Sequence, residues 1–104
     1  MSFVVFQVDE SELLSPFAFE RERIEAAGGI LRLGTCTTED DVIAGAEGVD
    51  VLWLNWTPGL TRRVFEALPS CRLAIRWGVG YDQIDVEAAT SAGVAVANSP
   101  CRDV

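Results

Sequence analysis

Five short apolar runs punctuate the chain, and their spacing restricts its fold more than any other feature. Phe3–Val8, Ile30–Leu33, Val49–Leu54, Leu73–Trp77 and Val94–Ala97 begin 19 to 27 residues apart. They are rich in Val, Ile, Leu and Trp and continuous rather than alternating, the pattern of strands buried on both faces in a parallel sheet. Each gap has room for a crossover helix and two loops.

The gaps carry helix signals. Ser15 before Pro16 reads as an N-cap followed by a first-turn proline, with Phe17, Ile24 and Ala27 at helical spacing and Gly28-Gly29 as the stop. Thr38 caps a second helix whose first turn holds Glu39, Asp40 and Asp41 against the positive end of the helix dipole, with Val42, Ile43 and Ala46 facing inward and Gly48 ending it. Thr61 caps a third, where Leu60 and Phe65 have the spacing of a hydrophobic staple and Pro69 closes the segment. Asp85 caps a fourth, Val86 to Ala92, which Gly93 terminates. The order β-α-β-α-β-α-β-α-β with right-handed crossovers predicts an α/β fold: a three-layer, open, parallel five-stranded sheet of flavodoxin-like order 2-1-3-4-5. Ligands of such a sheet gather at the carboxyl ends of the strands, near the switch between strands 1 and 3. At 104 residues the chain is one domain, with no repeat and no interdomain linker.

Charge and residue usage exclude several functions. Sixteen acidic residues face eight basic ones, all Arg, for a net charge of −8. Without a basic stripe this argues against nucleic acid and acidic membrane surfaces as partners. With no His there is no imidazole acid or base and no His-ligated metal; with no Lys there is no Schiff base and no P-loop lysine. Cys36, Cys71 and Cys101 are widely spaced and read as small buried hydrophobes rather than a disulfide framework or metal site. The run Phe3–Val8 lacks a basic flank and meets Asp9 and Glu10, so it is not a signal peptide, and no run approaches a membrane span. The expected location is the cytoplasm.

Three constellations offer chemistry. After the fourth run comes Gly78-Val79-Gly80-Tyr81, two glycines flanking one residue where a strand gives way to a loop. Glycines permit backbone geometries that aim consecutive amides at one point, an array that binds a carboxylate without a basic side chain. A turn that merely reverses the chain has the same spacing. The segment does not complete the dinucleotide fingerprint G-x-G-x-x-G, because its third glycine position is Gln83 and the later strand ends at Asn98 rather than an acid. Asp9 and Glu10 after the first run suggest a phosphoacceptor site, but the third run ends Leu54-Asn55-Trp56 and there is no Lys, so solvated loop acids are the better account. Trp53 reads as core; Trp56 and Trp77 lie nearer the ligand edge, where core is the preferred reading for each and lining a cleft or facing a partner domain the alternative.

Residues 73–100 carry a longer pattern: Leu73-Ala74-Ile75-Arg76-Trp77-Gly78-Val79-Gly80-Tyr81-Asp82-Gln83-Ile84-Asp85-Val86, then Ala88-Ala89, Gly93-Val94, Val96, Asn98 and Pro100. This resembles the D-isomer-specific 2-hydroxyacid dehydrogenases, apart from Gln83, where that family usually has Asn. The resemblance implies that residues 1–104 are the substrate-binding lobe of a two-domain, NAD- or NADP-dependent oxidoreductase acting on a small 2-hydroxy or 2-keto acid. It implies that the amides of Val79 and Gly80 bind the substrate carboxylate, with Gly78 and Tyr81 shaping the loop, and that Asn98-Ser99-Pro100 leads toward the cofactor domain. The cofactor site and the catalytic His, its acidic partner and the Arg would all belong to that second domain, leaving this chain no catalytic residue, no cofactor-binding residue and no activity alone. The resemblance also implies a homodimeric parent joined through the cofactor domain, and an apolar patch on this lobe that the remainder would cover. A dinucleotide-sensing regulatory protein of the corepressor type, with the same fold, is the first alternative, and a free-standing α/β binding module the second.

Overall fold

The computed structural model describes residues 2–9, 18–54, 59–77 and 84–99. Five parallel strands, β1 (Phe3–Gln7), β2 (Gly29–Leu33), β3 (Val51–Leu54), β4 (Leu73–Trp77) and β5 (Ala95–Ser99), alternate with helices α1 (Ala18–Ala26), α2 (Glu39–Gly45), α3 (Arg62–Ala67) and α4 (Val86–Ser91). The sheet order is β2-β1-β3-β4-β5, so the chain reverses direction between β2 and β3 and leaves the switch at the β1–β3 pair. Register is set by pairs such as Val5 with Leu31 and Val51, and Ile75 with Trp53 and Ala97.

The helix starts follow the local chemistry of their caps. The side chains of Thr38, Thr61 and Asp85 accept from the amides of Asp41, Val64 and Ala88, the third residue of each helix, which satisfies donors the helix itself cannot. Leu60 and Phe65 are both buried beside the third start, as a staple requires. Gly28, Gly48 and Gly93, the three expected terminators, all have positive φ. At the far end of α2 the guanidinium of Arg32 donates to the carbonyls of Gly45 and Glu47, a cationic side-chain cap on the negative end of the helix.

The two faces of the sheet differ. One packs Phe6, Val8, Leu52, Leu54 and Ala74 against Val42 of α2, Val64 and Phe65 of α3, and Ala88 and Ala89 of α4, forming the main core. Phe6 fits there because Gly34 and Gly45 lack side chains: a Cβ at either would lie 2.6 or 2.9 Å from its ring. The opposite face carries α1, the only helix against it among the described residues, and a smaller cluster of Val5 and Leu31 with Phe3, Ile24, Leu33, Val51 and Trp53.

Continuity of the apolar runs predicts strands buried on both faces, and here the structure differs. Val51, Trp53, Leu73, Ile75 and Ala97, which register places on the α1 face, are half-buried, and Ala95 is exposed. Ile30 is 55% exposed because β2 is an edge strand. Trp53 accordingly flanks the small cluster rather than filling the main core.

Candidate functional site

The carboxyl edge of the sheet is built from the ends of β1, β3 and β4 and the first turns of α2, α3 and α4. Backbone bonds tie these loops together. Val8 donates to the carbonyl of Trp53, Cys36 donates to Val8, and Asp85 donates to Leu60 at 2.9 Å. Leu60 and Ile84 also form an isolated parallel bridge. The segment after β4 is therefore held at both ends, by the strand on one side and by the Leu60–Ile84 bridge and the capped start of α4 on the other. Gly78, Val79, Gly80 and Tyr81 lie between these anchors and outside the described residues, as do Glu10, Trp56, Pro100 and Cys101.

Two functional candidates that sequence reasoning missed stand at this edge. Among the described residues the buried polar side chains are Gln7, fully enclosed, and Arg76. Gln7 ends β1 and Arg76 is the penultimate residue of β4, two positions before Gly78. The Nε2 of Gln7 donates to Asp9 Oδ1 at 3.3 Å. Both residues break an otherwise apolar run near its carboxyl end, in Phe-Val-Val-Phe-Gln-Val and Leu-Ala-Ile-Arg-Trp. Burial of a polar group is costly without a partner, so a polar residue there is a signal that could have found them.

The rest of the edge is acidic. Glu39, Asp40 and Asp41 occupy the first turn of α2 and Glu87 that of α4, beside the Asp85 cap. Asp41 accepts from the amide and hydroxyl of Thr37 at 3.0 and 3.1 Å, and these bonds hold its carboxyl below the ordinary value. Arg63 of α3 pairs with Glu39 at 3.1 Å and with Asp40. Arg62 reaches Glu66 on its own helix.

Cys36 and Cys71 are buried free thiols. Burial pushes the Cys36 thiol up to about 11, with the carboxylates of Asp41 and Asp9 adding to the shift, so it is no nucleophile at neutral pH. The sign of its effect on stability follows. Unfolded, this thiol ionises near 9; folded, it stays protonated to about 11. The native state thus loses stability as pH rises between those values. Urea midpoints at pH 8 and pH 11 should converge in Cys36→Ala relative to the unsubstituted chain; an equal fall in both would show that the thiol makes no contribution.

Among the described residues, no three or more His, Cys, Asp or Glu side chains are grouped to hold a metal, and no helix is long and apolar enough to cross a membrane.

Residues 13–102 match the D-isomer specific 2-hydroxyacid dehydrogenase, catalytic domain. The chain belongs to that family. It is 36% identical over 72 residues to a D-3-phosphoglycerate dehydrogenase of Methanocaldococcus jannaschii, covering 69% of this chain and 14% of the relative. It is 39% identical over 59 residues to a glyoxylate reductase of Korarchaeum cryptofilum, covering 57% of this chain and 18% of that protein. Its fold superposes on an NAD+-bound 3-phosphoglycerate dehydrogenase from Entamoeba histolytica with a TM-score of 0.83 at 22% identity, over 94% of this chain and 33% of that one. The chain thus spans less than a fifth of these curated relatives and about a third of the solved structure.

The described start of α4 does not offer the cradle that a dinucleotide needs. In the fingerprint geometry a pyrophosphate rests on the free amides of a helix that opens within the glycine motif. Here α4 begins only at Val86, and its first-turn amide at Ala88 is already taken by the carboxylate of Asp85 at 3.0 Å. A second negative group would meet that carboxylate directly.

Proposed function

We propose that this chain is the substrate-binding lobe of an NAD(P)-dependent D-2-hydroxyacid dehydrogenase, gripping the carboxylate of a small 2-hydroxy or 2-keto acid with the backbone amides of Val79 and Gly80. The observation that supports this reading is that the described residues on either side of that stretch are fixed at the carboxyl edge: β4 runs to Trp77, and Ile84 pairs with Leu60. Fixed flanking residues shorten the stretch of chain that must be ordered when the ligand binds, which lowers the cost of binding. Arg76 adds a buried positive charge two residues upstream. Gly78 and Tyr81 shape the turn.

The nicotinamide supplies or receives the hydride in such a reaction. On the family resemblance, the proton at the substrate oxygen is handled by a His of a second domain, which also holds the cofactor; this chain contains no His. What the lobe's own residues do is bind and orient the acid. The half-buried apolar residues Val51, Trp53, Leu73 and Ile75 offer a face against which the rest of the protein packs.

Titration of the chain with D-glycerate, followed by amide NMR shifts, tests the reading. Shifts should gather between Trp77 and Asp85. Shifts elsewhere, or none at millimolar ligand, would overturn the site.

A further inference from the structure

β2 bounds one side of the sheet, with β1 on its inner flank and no strand beyond it among the described residues. An outer strand directs half of its backbone groups away from the sheet, where they can pair with another chain. Which residues do so follows from the ladder. Gly34 donates to the carbonyl of Gln7 at 2.8 Å. In a parallel ladder successive residues alternate: one turns both its N–H and its C=O toward the neighbouring strand, and the next turns both away. Gly34, Arg32 and Ile30 therefore face β1, and Gly29, Leu31 and Leu33 face outward.

The middle carbonyl of the outward set is occupied. Nη1 of Arg21, in α1, donates to the carbonyl of Leu31 at 3.2 Å. Local packing puts it there. Ile24 packs into the cluster of Val5 and Leu31, and Arg21, three residues earlier, shares that side of the helix. Only Ala27 and Gly28 separate α1 from β2, and Gly29 lets the two elements close up: a Cβ there would lie 2.5 Å from the Phe3 ring and 2.9 Å from Ile24.

An identical chain carries an identical outer strand. Two copies joining β2 to β2 about a two-fold axis would run antiparallel. In the pairing that uses all five residues of β2, Leu31 lies opposite Leu31 of the second copy, the two exchanging N–H and C=O, and Gly29 lies opposite Leu33. That central exchange needs the carbonyl that Arg21 holds. Ile30, 55% exposed on the same strand, adds apolar surface that would favour the pairing. We infer that Arg21 is an edge guard: its bond to the Leu31 carbonyl keeps β2 of one copy from pairing with β2 of another. The guard acts on the opposite flank of the sheet from β4 and is independent of the Val79–Gly80 reading.

Sedimentation of Arg21→Ala and Arg21→Gln tests the guard, at about 0.15 M ionic strength, where the charge of −8 on each copy is screened beyond about 8 Å. Both replacements suit a helix, and circular dichroism with urea midpoints verifies that the variants are folded. Each should dimerise at a concentration at least about tenfold lower than the unsubstituted chain, with hydrogen exchange slowed at the Leu31 and Leu33 amides. Folded variants as monomeric as the unsubstituted chain would overturn the inference. The register has its own check. In the two-fold pair Ile30 lies across from Arg32 of the second copy. Adding Ile30→Lys to Arg21→Ala sets like charges opposite one another and should restore the monomer, whereas adding Ile30→Glu should leave the dimer in place. Association that is insensitive to Ile30→Lys, or that leaves exchange at Leu31 and Leu33 unchanged, would put the contact on another surface and overturn the guard.

Discussion

Phe65→Ala should cost the domain about 3–5 kcal/mol, the usual range for emptying a buried aromatic site. Phe65 is 1% exposed and the largest of the fully buried side chains among the described residues. It lies in the main core with Leu60, Val64, Leu68 and Ile84, so its loss loosens both α3 and the bridge that anchors the loop after β4. Domains of this size are stable by only about 5–15 kcal/mol, so the variant should lose a large share of its urea resistance and the weaker end of that range would leave it partly unfolded. Val86→Ala is the control: Val86 is 42% exposed on α4, and its truncation should change stability by less than about 0.5 kcal/mol. Similar urea midpoints for the two variants would mean that α3 is not seated on the sheet as described.

The contrast between those residues shows which parts of the fold were legible. Thr38, Thr61 and Asp85 announced their helices because a cap is a contact over three residues, settled within one turn. The strand order followed from continuous apolar runs separated by helix-length gaps, because crossover handedness leaves few alternatives. The uneven burial of the sheet was not legible. Ile30 and Ile75 look alike in sequence, yet edge position exposes one and the thinly covered α1 face half-exposes the other. The room for Phe6 depends on Gly34 and Gly45, which arrive from two different elements and carried no local sign of that purpose.

The candidate site divides in the same way. Its glycine pattern and its wider family resemblance were visible between residues 73 and 100. The Leu60–Ile84 bridge that anchors it joins segments 24 residues apart and was not. The enclosure of Gln7 and the burial of Arg76 were signalled only by the polar residue that each puts into an apolar run, because the burial itself is settled by the assembled sheet.

Val79→Pro should weaken D-glycerate binding by about 10- to 100-fold. The substitution deletes one backbone N–H, and a hydrogen bond to a charged acceptor contributes about 1.5–3 kcal/mol. It also biases Gly78 toward extended geometry, which moves the neighbouring amide. The fold should tolerate the change. Residue 79 lies outside both β4 and α4, and the strand pairs and the Asp85 cap are formed by other residues. Val79→Ala keeps the amide and alters only the side chain, so it should bind within about twofold of the unsubstituted chain if backbone donors make the contact. Equal weakening in both variants would place the contact on the valine side chain. Undiminished binding in the proline variant, with its urea midpoint intact, would remove this loop from the substrate site and shift attention to Arg76, the buried cation of the same edge.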